Sequence, residues 1–381
     1  MSRSVLEAAT KVPFVDLTAV NEPIAGNLLR AIADLVDSGQ FVNGPQIAAF
    51  EDAFAEWCGV RWCVGVASGL DALRLGLVAA GLDPGDEVVV PALTFIATAE
   101  AVTHAGGRLL LADVSEDDWN LDPAAAEAAC SRHTRFVVPV HLYGQLADLA
   151  TLVPLADRLG LGLLEDACQA HGAERDGILA GSRSVAAAFS FYPAKNLGAM
   201  GDAGALVTSD ATLADAVRVL REHGQRHKYR HEVTGWTSRL DTIQAIVLLL
   251  KLPALASGNE QRRSAAAFYT AALEGIGDLV TPPVPAGSSP VWHLYVVRTF
   301  DPEGLAASLA ARGISTGRHY PLPIHLTDAY AHLRQARGSF PVAEALAREC
   351  LSLPMFAGIS EAQLSAVADA AHAHFARRRG A

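Results

Sequence analysis

The sequence predicts an α/β protein in which a mostly parallel central sheet is flanked by helices and followed by a smaller α+β domain. Three observations carry this. Between residues 44 and 210, short β-branched or aliphatic runs alternate with helical patterns, the order expected of parallel strands joined by crossover helices. An apolar helical stretch at 239–252 ends at Pro253, and a Gly-, Pro- and Ser-rich stretch follows at 275–290. The chain has 381 residues, 51% of them hydrophobic and 19% charged, which is too long for a lone small domain and enough for a large core. We therefore expect a large α/β domain over 13–252 and a small α+β domain over 253–381.

The elements follow in order. Strands are expected at 61–66, 87–90, 108–111, 136–140, 161–165, 185–191 and 205–208, all apolar enough to be buried on both faces. Gly44-Pro45 opens a helix, proline being suited to the first turn. A second helix begins near Asp71, and Asp83-Pro84-Gly85-Asp86 closes it and turns the chain into the next strand. An alanine-rich helix fits 123–129. Beyond the Gly/Pro/Ser stretch, strands are expected near 292–299 and 314–318, with helices near 303–312, 341–349 and 360–375. The apolar faces of 239–252 exceed what one domain edge leaves exposed, so a second copy of the chain is expected to cover them.

Composition narrows the function. Thirty basic against 41 acidic residues give a net charge of −11, and only Arg-Arg-Arg at 377–379 gathers cations in a tight run, so no nucleic-acid partner is expected. The longest unbroken aliphatic run, 245–250, is too short to cross a bilayer, and residues 1–12 lack the apolar core of a signal peptide. Five cysteines without a C-x-x-C pair fit small buried hydrophobes in a reducing cytoplasm. Thirteen histidines show no ligand spacing, so no metal is expected.

Three segments carry chemistry. In Val64-Gly65-Val66-Ala67-Ser68-Gly69-Leu70-Asp71 a strand runs through a Ser-Gly turn into a helix, whose free N–H groups suit a phosphate; an ordinary N-capped helix reads the same way. In Leu163-Leu164-Glu165-Asp166-Ala167-Cys168-Gln169, Asp166 stands just past a strand, at the edge where open α/β sheets bind ligands. It suits either a cap on the following turn or a partner for a cationic ring nitrogen. In Phe189-Ser190-Phe191-Tyr192-Pro193-Ala194-Lys195-Asn196 a lone lysine enters a glycine-containing loop in apolar company, with Asp202 the one acid near it in sequence. An exposed loop lysine is the common alternative, but this setting favours a lowered pKa and a nucleophilic amine.

Together these segments resemble the DegT/DnrJ/EryC1/StrS sugar aminotransferases, a family of fold-type-I pyridoxal-phosphate enzymes. The resemblance runs from Pro13-Phe14-Val15-Asp16-Leu17 to Leu351-Ser352-Leu353-Pro354-Met355-Phe356 and includes Pro91–Thr98, Val140-His141-Leu142-Tyr143-Gly144-Gln145, Arg239-Leu240-Asp241-Thr242-Ile243-Gln244-Ala245 and His319-Tyr320-Pro321. It implies a homodimer with shared active sites and pyridoxal 5′-phosphate as cofactor. Lys195 would form the imine with the cofactor and then move the proton; Asp166 would pair with the pyridinium nitrogen, keeping the ring an electron sink. Phe95 would stack on the ring, Gln169 would contact its phenolic oxygen, and Ser68, Gly69, Leu70 and Ser190 would hold its phosphate. Core packing is the alternative for Phe95, and a backbone-satisfied hydroxyl for Ser190.

Two positions depart from the family pattern. Thr237 stands where relatives commonly carry an asparagine that reaches the neighbouring subunit's phosphate, and Leu70 replaces a frequent threonine. The resemblance further implies substrate contacts by His319 and Tyr320, and by Arg239 of the partner chain, with packing against the helix near Asp328 as the alternative for the first two. Five potential cations in 224–231 would be either a solvated loop or a lure for a diphosphate. The expected activity is transamination of a nucleoside-diphosphate keto-sugar with glutamate as amino-acid donor, in deoxysugar biosynthesis. A keto-cyclitol substrate and a non-catalytic cofactor-binding regulator are the alternatives, and intact Lys195 and Asp166 weigh against the regulator.

Overall fold

The computed structural model describes residues 11–378. The first ten residues and the last of the arginines at 377–379 lie outside that range.

Seven strands form the central sheet: β1 (Trp62–Val66), β2 (Glu87–Pro91), β3 (Arg108–Ala112), β4 (Thr134–Val137), β5 (Gly162–Asp166), β6 (Ala186–Ser190) and β7 (Gly204–Thr208), in the order β1-β7-β6-β5-β4-β2-β3. All seven fall where the apolar runs predict them, within a few residues at the ends. β7 alone runs antiparallel to its neighbours. The strands are buried on both faces because helices cover the sheet from both sides.

Helix α1 (Leu17–Asn21) and α2 (Ala25–Ser38) lead into α3 (Pro45–Trp57), which opens at Gly44-Pro45 as the sequence indicates. Next, α4 (Gly69–Ala79) lies flat on the sheet, and Gly76 permits this: a Cβ there would stand 2.6 Å from Leu206 and 2.8 Å from Leu164. Helices α5 (Ile96–His104), α6 (Pro123–Ala129), α7 (Leu149–Leu159) and α8 (Ala211–Arg221) complete the large unit. Beyond α8 the chain makes a small exposed hairpin, β8 (Gln225–His227) and β9 (Arg230–His231).

Helix α9 (Thr242–Lys251) starts three residues later than expected. Pro253 sits in a single 3-10 turn, after which α10 (Leu255–Leu273) continues. The run Thr242–Leu273 is long and apolar enough to cross a membrane by length and composition, and half of its most apolar window is buried inside this fold. The expectation that a second copy covers the faces of α9 needs correction. Ala245 and Leu248 enter the core under the sheet, while Ile246 and Val247 pack against Leu28 and Leu35 of α2, a helix the periodicity reading did not include.

In the C-terminal part, β10 (Tyr295–Arg298) pairs antiparallel with β11 (Cys350–Leu353), and α10, α11 (Pro302–Ala310) and α13 (Glu361–Arg378) pack beside them. The strand expected at 314–318 is reduced to two isolated bridges, Ile314 to Val12 and Gly317 to Ser352. Its edge is shared between the N-terminal strap and β11, so no continuous ladder forms. Helix α12 (Pro341–Glu349) matches its expectation and is capped from the large unit, since Asp113 accepts from the Val342 and Ala343 N–H groups at 3.0 and 2.9 Å.

Candidate active site

The carboxyl ends of β1, β2, β5 and β6 open on one cavity of about 470 Å³. Each strand end delivers one functional group. After β1, the Ser68 hydroxyl accepts from the Asp71 N–H at 3.1 Å and caps α4. Both sequence readings of this turn hold: the helix is capped, and Ser68, Gly69 and Leu70 line the cavity. Gly69 must be glycine, because a Cβ would lie 2.7 Å from both Ser190 Cβ and Cys168 Sγ. The backbone N–H groups at the start of α4 therefore meet the cavity without a side chain in the way.

After β2, Phe95 precedes α5 and is 51% exposed, so core packing does not account for it. Its ring stands 5.6 Å from Tyr320 across the cavity. One turn on, the Thr98 hydroxyl donates to Asp166 Oδ2 at 2.8 Å and is itself 2.9 Å from the Thr94 hydroxyl. Thr98 ends the 91–98 motif, yet its support of Asp166 has no signal in sequence.

At the end of β5, Asp166 is only 6% exposed. Its Oδ1 accepts the Cys168 N–H at 3.2 Å, so it does cap its turn while also lining the cavity. Behind it, Glu165 points to the other face of the strand and receives His141 Nε2 at 2.8 Å, Gly181 N–H at 2.7 Å and the Ser184 hydroxyl at 2.6 Å. Burial raises its pKa, but these hydrogen bonds outweigh burial and leave Glu165 below the usual carboxylate range. Gln169 accepts the Tyr143 N–H at 2.7 Å and donates to the Tyr320 hydroxyl at 3.1 Å. Its second amide hydrogen is left for a ligand.

After β6, Ser190 accepts the Tyr192 N–H at 3.3 Å, and Lys195 stands half-buried on the cavity floor. Burial lowers the pKa of the Lys195 ammonium against the opposing pull of Cys168 and Asp166. The expectation of a lowered pKa holds, with one correction. The carboxylate that acts on Lys195 is Asp166 rather than Asp202, although Asp202 also lines the cavity. The Lys195 backbone N–H donates to the Tyr192 carbonyl at 2.8 Å, while among the described residues its side-chain amine makes no ion pair or hydrogen bond and is available.

The far wall comes from the C-terminal part and the N-terminal strap. His319 and Tyr320 line the cavity; His319 Nδ1 is 2.7 Å from the Ser352 hydroxyl and its ring stacks on Phe14 at 5.5 Å. Burial and the Lys195 charge push His319 down to about 4, so it is a neutral ring at pH 7. Sequence reasoning missed His293, which also lines the cavity with its Nδ1 buried and unpartnered. Gly144, at φ +94°, makes room for its backbone, because a Cβ would lie 2.8 Å from the His293 nitrogen.

Two predicted residues are not brought to the cavity. Thr237 is exposed, with its hydroxyl 2.8 Å from His223 Nε2, and Arg239 pairs with Glu222 at 2.9 Å. In the neighbouring hairpin Arg226 pairs with Asp215 and with Glu232, so part of the expected cationic cluster is already answered. Among the described residues no three potential ligands gather as a metal site.

The residues fit pyridoxal phosphate: an available half-buried amine, a hydrogen-bonded carboxylate, an aromatic face, and a glycine cradle at a helix start that any Cβ would fill. When bound, that cofactor supplies the electron sink that lets an amino group move between carbon skeletons.

Comparison with known proteins agrees. The chain is 46% identical to the dTDP-3-amino-3,4,6-trideoxy-alpha-D-glucose transaminase of Streptomyces venezuelae, over 94% of this chain and 95% of that one. It is 42% identical to a pleiotropic regulatory protein of Geobacillus stearothermophilus, over 92% and 95%. The crystal structure of S. venezuelae DesV with a ketimine intermediate superposes with a TM-score of 0.94 at 46% identity, over 95% of this chain and 98% of that one. The model of the DegT/DnrJ/EryC1/StrS aminotransferase family matches residues 23–372, and the chain belongs to that family of pyridoxal-phosphate enzymes.

Proposed function

We propose that this protein transaminates a nucleoside-diphosphate keto-sugar, taking the amino group from glutamate, as a cytoplasmic homodimer. The observation that carries the reading is the pairing of an available Lys195 amine with a fixed Asp166 carboxylate in one sheltered cavity. The Thr98 hydroxyl and the Cys168 N–H fix the orientation of the Asp166 carboxylate in the cavity, where it would favour a protonated ring nitrogen on a bound cofactor. Lys195, with its pKa lowered by burial, takes and returns a proton at the carbon that gains or loses the amino group. Phe95 and Tyr320, with rings 5.6 Å apart, line the same cavity and would close part of it around a bound ring. Several relatives are named as transaminases of nucleotide-linked amino sugars, which supports the sugar class.

The dimer reading draws support from an apolar surface. Leu29 and Val36 of α2 are 70% and 60% exposed, seven residues apart on one helix face, and Phe41 and Val42 follow them in the open. A second copy seated there would bring a second set of Thr237 and Arg239 side chains to the molecule. The five described cysteines are all free, in keeping with a reducing compartment. A regulator, as one relative is named, has no need of an unpaired buried amine opposite a fixed carboxylate.

The test is a screen of keto-sugar nucleotides and keto-cyclitols against the amine form of the cofactor-loaded protein, following the return of the aldehyde cofactor's absorbance. Return with a nucleotide keto-sugar is the expected result. Return with cyclitols alone would replace the substrate, and no return after loading with glutamate would remove the enzymatic reading.

A further inference from the structure

Lys251, at the last turn of α9, is a buried lysine without an acid. It is 8% exposed, and its ammonium donates to the Gly198 carbonyl at 2.6 Å and to Asn21 Oδ1 at 3.1 Å. Burial lowers it to about 8. A charge taken out of water needs compensation, and here two neutral oxygens supply it.

Neither oxygen lines the active-site cavity, but each belongs to a stretch of chain that reaches it, through Lys195 on one side and through Phe14 and Val15 on the other. Gly198 stands three residues beyond Lys195, in a loop folded tightly on itself: a Cβ at Gly198 would lie 2.2 Å from the Pro193 carbonyl oxygen. The rest of the loop is fixed by Asn196, which donates to Asn259 at 2.9 Å and to the Val291 carbonyl at 2.8 Å, and by Gln244, which accepts the Met200 N–H at 2.9 Å. Among the described residues Lys251 is the one side chain that holds the Gly198 carbonyl. Asn21 ends α1, directly after the strap that puts Phe14 and Val15 on the cavity wall and Phe14 against His319.

We infer that Lys251 is a positioning residue that ties the loop of the cofactor-binding Lys195 to the N-terminal strap lining the substrate side of the same cavity. This rests on Lys195 being the residue that binds the cofactor. Replacing Lys251 by methionine removes a costly buried charge and fills similar space, so the fold loses little. The Gly198 carbonyl loses its partner, the loop relaxes, and the Lys195 amine moves from its place; small misplacements of reacting groups are costly in rate.

The experiment compares the wild type with Lys251→Met, Lys251→Gln and Asn21→Ala. Two readouts are independent of turnover: the pH titration of the bound cofactor's absorbance, and the rate at which acetic anhydride acylates Lys195 in the cofactor-free chain, read by mass spectrometry. In Lys251→Met the titration is expected to shift by about one pH unit, with acylation changed accordingly, while the glutamate half-reaction slows roughly tenfold. Lys251→Gln keeps one donor for the Gly198 carbonyl and recovers most of both. Asn21→Ala frees only the strap, raising KM for the sugar substrate and leaving the cofactor's titration where it was. If Lys251→Met fails to fold, Lys251→Gln carries the test, with a shift in the same direction expected at about a third of the size. Folded variants whose titration and Lys195 acylation match the wild type overturn the inference. A wild type whose cofactor is not attached at Lys195 would instead overturn the reading beneath it.

Discussion

At the carboxyl edge of the sheet, Asp166, Gln169 and Glu165 are each held from within one chain. Asp166 is fixed by Thr98 and the Cys168 N–H, Gln169 by Tyr143 and Tyr320, and Glu165 by His141, Gly181 and Ser184. The arm from Glu222 to Arg239 is different. Thr237 lies in the open against His223, Arg239 is answered by Glu222, and the hairpin's Arg226 by Asp215 and Glu232. The first region is complete as it stands. The second holds donors and cations suited to phosphate that lie outside the lining of its own cavity, where the proposed dimer would need them.

The largest expected effect breaks the complete region at its centre. Borohydride treatment should fix the cofactor to the peptide containing Lys195, and Lys195→Ala should retain some cofactor while losing both half-reactions. Labelling at Lys228 or at Lys251 would move the attachment point and undo the contrast. Asp166→Asn comes next: the chain should fold and turn over a hundredfold or more slowly, about 3 kcal/mol of barrier, because an amide does not favour a protonated ring nitrogen. Near-normal turnover with full cofactor would reduce Asp166 to a turn cap.

A third variant sharpens what holds this edge together. The pKa of Glu165 is lower in the fold than in the unfolded chain, so its stabilising contribution is present above the unfolded value, about 4.3, and is lost as pH falls through the folded one. Glu165→Gln should therefore cost roughly 1–3 kcal/mol at pH 7 and flatten the loss of stability on acidification, read by urea titration at several pH values. An unchanged acid slope would mean that His141, Gly181 and Ser184 hold no charge there.

The smallest effect probes the arm. Thr237→Asn restores the amide common among relatives and should leave cofactor affinity equal or up to about fivefold tighter, one hydrogen bond being worth about 1 kcal/mol. A marked loss of cofactor with the oligomer intact would show that Thr237 does not serve the phosphate.

The same contrast decided what could be read in the sequence. β1 to β7 were legible because buried strands leave unbroken aliphatic runs, and Ser68, Asp166 and Lys195 because each follows such a run at a turn. The resemblance already assigned Thr237 and Arg239 to a neighbouring chain's site, in line with their absence from their own cavity; what was not legible is how Trp236 and Ser238 dock on α4 beside them. Trp236 stacks on Arg74 and Ser238 bonds Asp71, contacts far apart in sequence. The partner of α9 is α2, whose apolar face, Leu28, Ala31, Ile32 and Leu35, has clear helical spacing that the sequence reading did not use. His293 left no trace either: a histidine beside a tryptophan gives no sign that its ring opens on a cavity. Its position depends on Gly144 and Arg262, and Arg262 donates to the carbonyls of Trp292 and His293 from a helix thirty residues earlier.

The most direct test of the contrast mixes the two regions. Lys195→Ala chains and Arg239→Ala chains, each inactive alone, should form hybrids with close to half the wild-type activity per molecule, because in a two-fold dimer one of the two sites receives an intact Lys195 floor and an intact Arg239 arm. Hybrids that form, as native mass spectrometry would record, but recover no activity would contradict the account and return Arg239 to its own chain's site or remove it from the reaction.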